Sequence, residues 1–127
     1  MAIGTVSGQT YYKITVVAAL GDIWTISPFD LNGNVVSEMV IVCDTTLGPL
    51  QLNLPQISTL NNDWSTKITV VALTGATNDV DITAFTSALP PVVNTIGSAP
   101  VLTLNLDNQT AELNAAEDNV WYGVRTL

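Results

Sequence analysis

The sequence predicts an all-β chain folded as one domain over residues 1–127: an antiparallel sandwich, jelly roll or β-prism of about eight to nine short strands. Three observations carry that prediction. Short runs rich in Val, Ile, Thr and aromatic residues recur at roughly even spacing, separated by Gly, Pro, Asn and Asp. Several of them alternate apolar and polar side chains, the period of a half-buried strand. Helical patterning is confined to residues 57–64 and 115–119, each with room for a single turn.

The elements follow in order. Residues 11–20 open with a β-rich run that puts Tyr12, Ile14, Val16 and Ala18 on one face. Gly21-Asp22 turns the chain into Ile23-Trp24-Thr25-Ile26, Pro28 ends that run, and Asn32-Gly33 is a tight-turn pair. Residues 35–43 read as a largely apolar strand buried on both faces, broken by Gly48-Pro49. Leu50, Leu52 and Leu54 then alternate with Gln51 and Asn53 until Pro55 stops the strand. Residues 67–73 form a near-continuous apolar strand and residues 74–79 a loop. Val80, Ile82 and Ala84 alternate with Asp81 and Thr83. Pro90-Pro91 precludes regular structure around it, and Ile96-Gly97-Ser98 marks a turn. Leu102, Leu104 and Leu106 alternate with polar neighbours before the turn at Asp107-Asn108-Gln109. A short strand over residues 110–115 and a closing strand over residues 120–127 complete the chain. In the closing strand Val120, Tyr122 and Val124 share one face and Trp121, Arg125 and Leu127 the other. Both faces carry large apolar groups, so cover on both sides is expected. Trp121, Tyr122 and Val124 are therefore the expected anchors of the fold or of a subunit interface. No linker or low-complexity run is visible.

Composition narrows the function. The 127 residues hold 11 acids against 3 bases, a net charge of -8, with no histidine and one cysteine. So acidic a chain is not expected to bind nucleic acid, which needs Lys and Arg to displace counterions, nor an anionic membrane surface. Residues 14–20, an uncharged apolar stretch, fall far short of the ~20 residues of a membrane-spanning helix. Residues 1–8 lack the basic and apolar regions of a signal peptide. Only 11% of residues are charged while 47% are apolar. A β surface with so little charge is expected to be covered by other copies or other proteins.

Candidate chemistry is sparse. Cys43 lacks a histidine partner and sits beside Asp44, so it reads as a small buried hydrophobe. The pair Asp79 and Asp81 could be taken for calcium ligands, but Asp81 falls in an alternating strand and Asp79 at a turn. Glu112, Glu117 and Asp118 are scattered, and no two acids have a setting that would part their pKa values for acid–base work. No enzyme activity, metal or cofactor is expected. Trp24 and Trp121 fall within strands, whereas Trp64 lies in the polar loop Asn61-Asn62-Asp63-Trp64. Trp64, Asn62 and Asp63 are thus the candidate glycan contacts for an alternative reading, a carbohydrate-binding adhesion module using exposed aromatics.

From about Val42 the order of segments carries a resemblance. Asp44-Thr45-Thr46 leads into the Leu-x-Leu-x-Leu-Pro strand at residues 50–55, then Asn61-Asn62-Asp63 and the β-rich residues 67–73. Residues 76–83, Asn94-Thr95-Ile96-Gly97, Leu102-Thr103-Leu104 and Asn119-Val120-Trp121-Tyr122 follow. This order resembles a module found repeatedly in bacteriophage tail-fibre and related virion appendage proteins. One departure stands out: the family often has Asp-Gly before the closing Trp, where this chain has Ala116-Glu117-Asp118-Asn119. The resemblance implies a non-enzymatic virion structural protein (capsid decoration, head fibre or tail accessory) on the surface of a capsid or tail. It implies trimeric association and other virion proteins as partners, with host-surface glycans as a further partner under the adhesion reading. No catalytic residue is transferred by it.

Overall fold

In the computed structural model, residues 3–7, 12–18, 22–27, 38–57, 67–88, 91–117 and 119–126 are described. They form thirteen strands: β1 (Ile3–Ser7), β2 (Tyr12–Val17), β3 (Asp22–Thr25), β4 (Glu38–Asp44), β5 (Leu50–Asn53), β6 (Lys67–Ala72), β7 (Val80–Thr83), β8 (Thr86–Ser87), β9 (Val92–Val93), β10 (Thr95–Ile96), β11 (Val101–Leu104), β12 (Gln109–Glu117) and β13 (Val120–Arg125). The all-β expectation holds. A seven-stranded sheet in the order β1-β2-β4-β6-β12-β13-β10 packs against a four-stranded sheet in the order β11-β7-β5-β3, and β8 pairs with β9. These are called the larger and smaller sheets below.

The sheets are mixed, where an antiparallel arrangement was expected. β2, β4 and β6 run parallel to one another, as do β3, β5 and β7. The cause is the path of the chain. β2, β4 and β6 of the larger sheet are each followed by a strand of the smaller one, not by a hairpin partner beside them. A parallel neighbour needs a crossover connection, and here the crossover carries a strand of the opposite sheet. The result is three stacked coils: β2 with β3, β4 with β5, and β6 with β7. Ile14, Ile41 and Val70 stand in register across the coils, spaced by about 28 residues, within the range of solenoid repeats. The first and third coils share the run Lys-Ile-Thr-Val-Val-Ala, at residues 13–18 and 67–72. The register sets the two copies two positions apart, so that Val70 and not Ile68 stands level with Ile14; Val16, Cys43 and Ala72 occupy the next height. β11 and β12 then close the stack by pairing antiparallel with β7 and β6.

The core lies between the sheets. The larger sheet contributes Ile14, Val16, Met39, Ile41, Cys43, Ile68, Val70, Ala72, Ala111, Leu113 and Trp121; the smaller contributes Leu50, Leu52, Val80, Ile82 and Leu104. All of the alternating positions expected in residues 50–54 and 80–84 point inward. For β4 the inward face is buried and Val40 and Val42 on the other are half-buried, so burial on both faces is incomplete within the chain. Residues 115–119 form no helical turn: β12 runs on to Glu117, a register shift follows Ala115, and Asn119 at φ 66° turns the chain into β13. Of residues 57–64 only Ile57 is described, and it is fully buried. Regular structure does flank the prolines, since Thr86 pairs with Val93 and Ser87 with Val92.

Polar side chains tie the coil corners together. Thr45 Oγ1 donates to the Asn78 carbonyl at 2.7 Å, and the Thr45 amide donates to Thr74 Oγ1 at 2.8 Å. Asn78 Nδ2 returns a bond to the Thr45 carbonyl at 2.8 Å. Buried Gln109 accepts from the amides of Asn105 and Leu106, closing the turn in which Asn108 takes φ 60°. Buried Asn94 accepts from the Ile57 amide at 3.0 Å and donates to Asn119 Oδ1 at 3.0 Å. Burial of such groups is tolerated because they are bonded.

Candidate functional site

Burial of one face of each sheet leaves two outer faces, of different chemistry. On the larger sheet, Val40, Thr69, Glu112 and Val124 stand in register across β4, β6, β12 and β13. Val42, Val71 and Thr110 form the next row. Tyr122 is 47% exposed and Val124 65%. Glu38, Asp44, Lys67 and Glu112 are the charged side chains described on this face, and two of them neutralise each other: Lys67 Nζ lies 2.8 Å from Glu112 Oε1. The Glu112 carboxylate, by hydrogen bond and then by charge, holds the Lys67 ammonium above the usual lysine range. The pair is exposed and adds little stability. Its effect is to leave a largely β-branched, sparsely charged face on a chain of net charge -8.

The outer face of the smaller sheet is polar. Thr25, Asn53, Thr83 and Val101 stand in one register row, and Ile23, Gln51, Asp81 and Thr103 in the next. Gln51 Nε2 donates to Asn53 Oδ1 at 2.9 Å, and Thr103 Oγ1 donates to Asp81 Oδ1 at 2.7 Å. The alternation of Leu50, Leu52 and Leu54 inward forces the amides between them outward. A hollow of about 310 Å³ opens over this face, lined by residues that include Thr25, Asn53, Thr83, Phe85 and Thr86. A second hollow of about 200 Å³, with Asp22, Ile23 and Asp81 among its lining, shares Gln51 with the first.

The sequence-derived candidates are dispersed. Trp121 is fully buried in the core, with its indole Nε1 lacking a hydrogen-bond partner among the described residues. Tyr122 and Val124 stand on the other side of the same strand, open on the larger sheet's outer face. Within the chain, therefore, the closing strand is covered at Trp121, while Arg125 on the same face is exposed. Trp64, Asn62 and Asp63 lie outside the described residues. Asp81 is held by Thr103 within the sheet, and Glu112 by Lys67. Cys43 is fully buried, and desolvation pushes its thiol up to about 12, so no thiolate forms near neutral pH. Sequence reading passed over the outward amides Gln51 and Asn53. Their signal was present, as the polar partners in the leucine alternation, but the parallel stacking that sets them beside Thr25 and Thr83 was not. No protein-family model matches the chain, and no curated protein matches its sequence.

Proposed function

We propose that this chain is a non-enzymatic structural protein of a bacteriophage virion, a capsid-decoration, head-fibre or tail-accessory protein that works as a trimer. The observation that carries the assembly part is the outer face of the larger sheet: wide, largely β-branched and sparsely charged on a strongly acidic chain. Like-charged copies repel through most of their surface, and on this face the Lys67–Glu112 pair removes part of that repulsion. Val40, Val42, Val71, Tyr122 and Val124 supply apolar area that an isolated β domain would keep polar. The virion assignment is supported by the order of segments from Asp44 to Tyr122, which resembles the tail-fibre module.

Light scattering coupled to size exclusion tests the assembly. A trimer at micromolar concentration is expected, and the double variant Val40→Glu, Val124→Glu is expected to run as a folded monomer. A wild-type chain that is monomeric under the same conditions refutes the assembly reading. Mass spectrometry of intact particles from the source tests the rest: a fixed copy number per particle is expected, and absence from particles refutes the virion assignment.

A further inference from the structure

We infer that the outer face of the smaller sheet is a binding site for a neutral oligosaccharide, laid across β3, β5 and β7 over Thr25, Asn53 and Thr83. The first argument is the lining of the larger hollow. Thr25, Gln51, Asn53, Thr83 and Thr86 present hydroxyls and planar amides, and no charged side chain lines it. Amides and hydroxyls both donate and accept, which matches the paired donor and acceptor character of a sugar's hydroxyl groups. A charged ligand would meet no countercharge there.

The second argument is which polar groups remain unused. The Thr83 and Thr86 side chains make no hydrogen bond among the described residues, and Asn53 Nδ2 reaches Thr25 Oγ1 only at 3.4 Å. Gln51 spends its amide nitrogen on Asn53 Oδ1, which fixes both amide planes and leaves the Gln51 carbonyl oxygen open to solvent. These groups are held by a sheet whose inward leucines are fully buried, so the site is preorganised on rigid elements. Phe85, half-buried in the lining, is the aromatic residue there that can meet the C–H side of a sugar, the usual complement to a polar rim.

The third argument concerns shape and charge. The two hollows meet at Gln51, so the complementary ligand is extended across strands and not a single ring. Asp22 and Asp81 line the far hollow, and the chain carries -8 overall. Acidic sugars are disfavoured by that field; uncharged ones are not. This site does not depend on the assembly reading, which uses the opposite sheet. It also differs from the aromatic contact expected at Trp64, Asn62 and Asp63.

The test is an array of uncharged hexose and N-acetylhexosamine oligosaccharides beside sialylated and uronic-acid ones, followed by titration of the best binder into isotope-labelled full-length protein. Binding of uncharged members only is expected, with the side-chain amide signals of Gln51 and Asn53 among those that shift. Asn53→Ala and Thr86→Ala should each weaken binding about fivefold, the worth of one neutral hydrogen bond, with the oligomer size equal to that of the parent chain. Thr86 is exposed, so Thr86→Ala decides the matter if Asn53→Ala fails to fold. Trp64→Ala should leave binding unchanged. No binding at millimolar sugar, preference for acidic members, or binding lost through Trp64→Ala and not through Thr86→Ala would each overturn the inference.

Discussion

Replacing Trp121 by alanine tests the central packing claim. Trp121 is the largest fully buried side chain among the described residues, and it pairs in register with Ile96 on one side and Ala115 on the other. A buried indole removes about 150–250 Å² from water, which at about 25 cal/mol per Å² corresponds to roughly 4–6 kcal/mol. Measured aromatic-to-alanine truncations cost about 3–5 kcal/mol, because part of the cavity collapses. The neighbours here give little room for collapse: Ala115 is already minimal, and Ile96 is tied to Ala99 by backbone bonds in both directions. A loss of about 4 kcal/mol is expected, lowering the thermal midpoint by roughly 15 °C for a domain of this size. Trp121→Phe provides the control. It keeps most of the apolar volume and removes the indole N–H, which is buried without a partner among the described residues and costs about 1–3 kcal/mol to leave unmade. That variant should therefore lie within about 1.5 kcal/mol of the parent. The assay is near-ultraviolet circular dichroism on heating, at one fixed protein concentration so that association does not shift the midpoint. A midpoint lowered by less than about 3 °C in Trp121→Ala would refute the reasoning.

Three further outcomes are expected. Gly75→Ala should destabilise by about 2 kcal/mol or more by overpacking, read as a lower denaturation midpoint, because a Cβ there would lie 2.5 Å from the Leu106 carbonyl oxygen, which is backbone and cannot swing aside. Cys43 should react with a thiol reagent only as fast as the chain opens; because burial raises it from 9.0 to about 12, stability should be flat below about 9 and fall as pH rises from there toward 12. Asp44 accepts bonds from the Thr46 hydroxyl and amide, which hold its carboxyl below the ordinary range. Its contribution is then present above the ordinary carboxylate pKa and lost as pH falls through the lowered one. In Thr46→Val, an NMR titration should find Asp44 moved back up; an unmoved value would remove the hydroxyl as the cause.

Strand class and inward positions were legible in the sequence because they depend on local alternation alone. Leu50, Leu52, Val80 and Ile82 had to face a core whichever sheet they joined, and the turns at Asp107-Asn108 and Ile96-Gly97 depend on the residues that make them. Strand direction was not legible, since it is set by where the next strand docks. The same Leu-x-Leu pattern serves a hairpin or a coil that crosses to the opposite sheet. Residues 13–18 and 67–72 carry the same run, Lys-Ile-Thr-Val-Val-Ala, but only the tertiary structure shows that these strands stack through β4 as coils, with Ile14 level with Ile41 and Val70. The same holds for Trp121 and Tyr122. Composition marks both as large apolar groups, yet the pleat puts one in the core and the other on an open face. The amides of Gln51 and Asn53 become a site only because parallel strands bring Thr25 and Thr83 beside them. Alternation along a strand is a local property; which strands lie side by side is a property of the whole chain's packing.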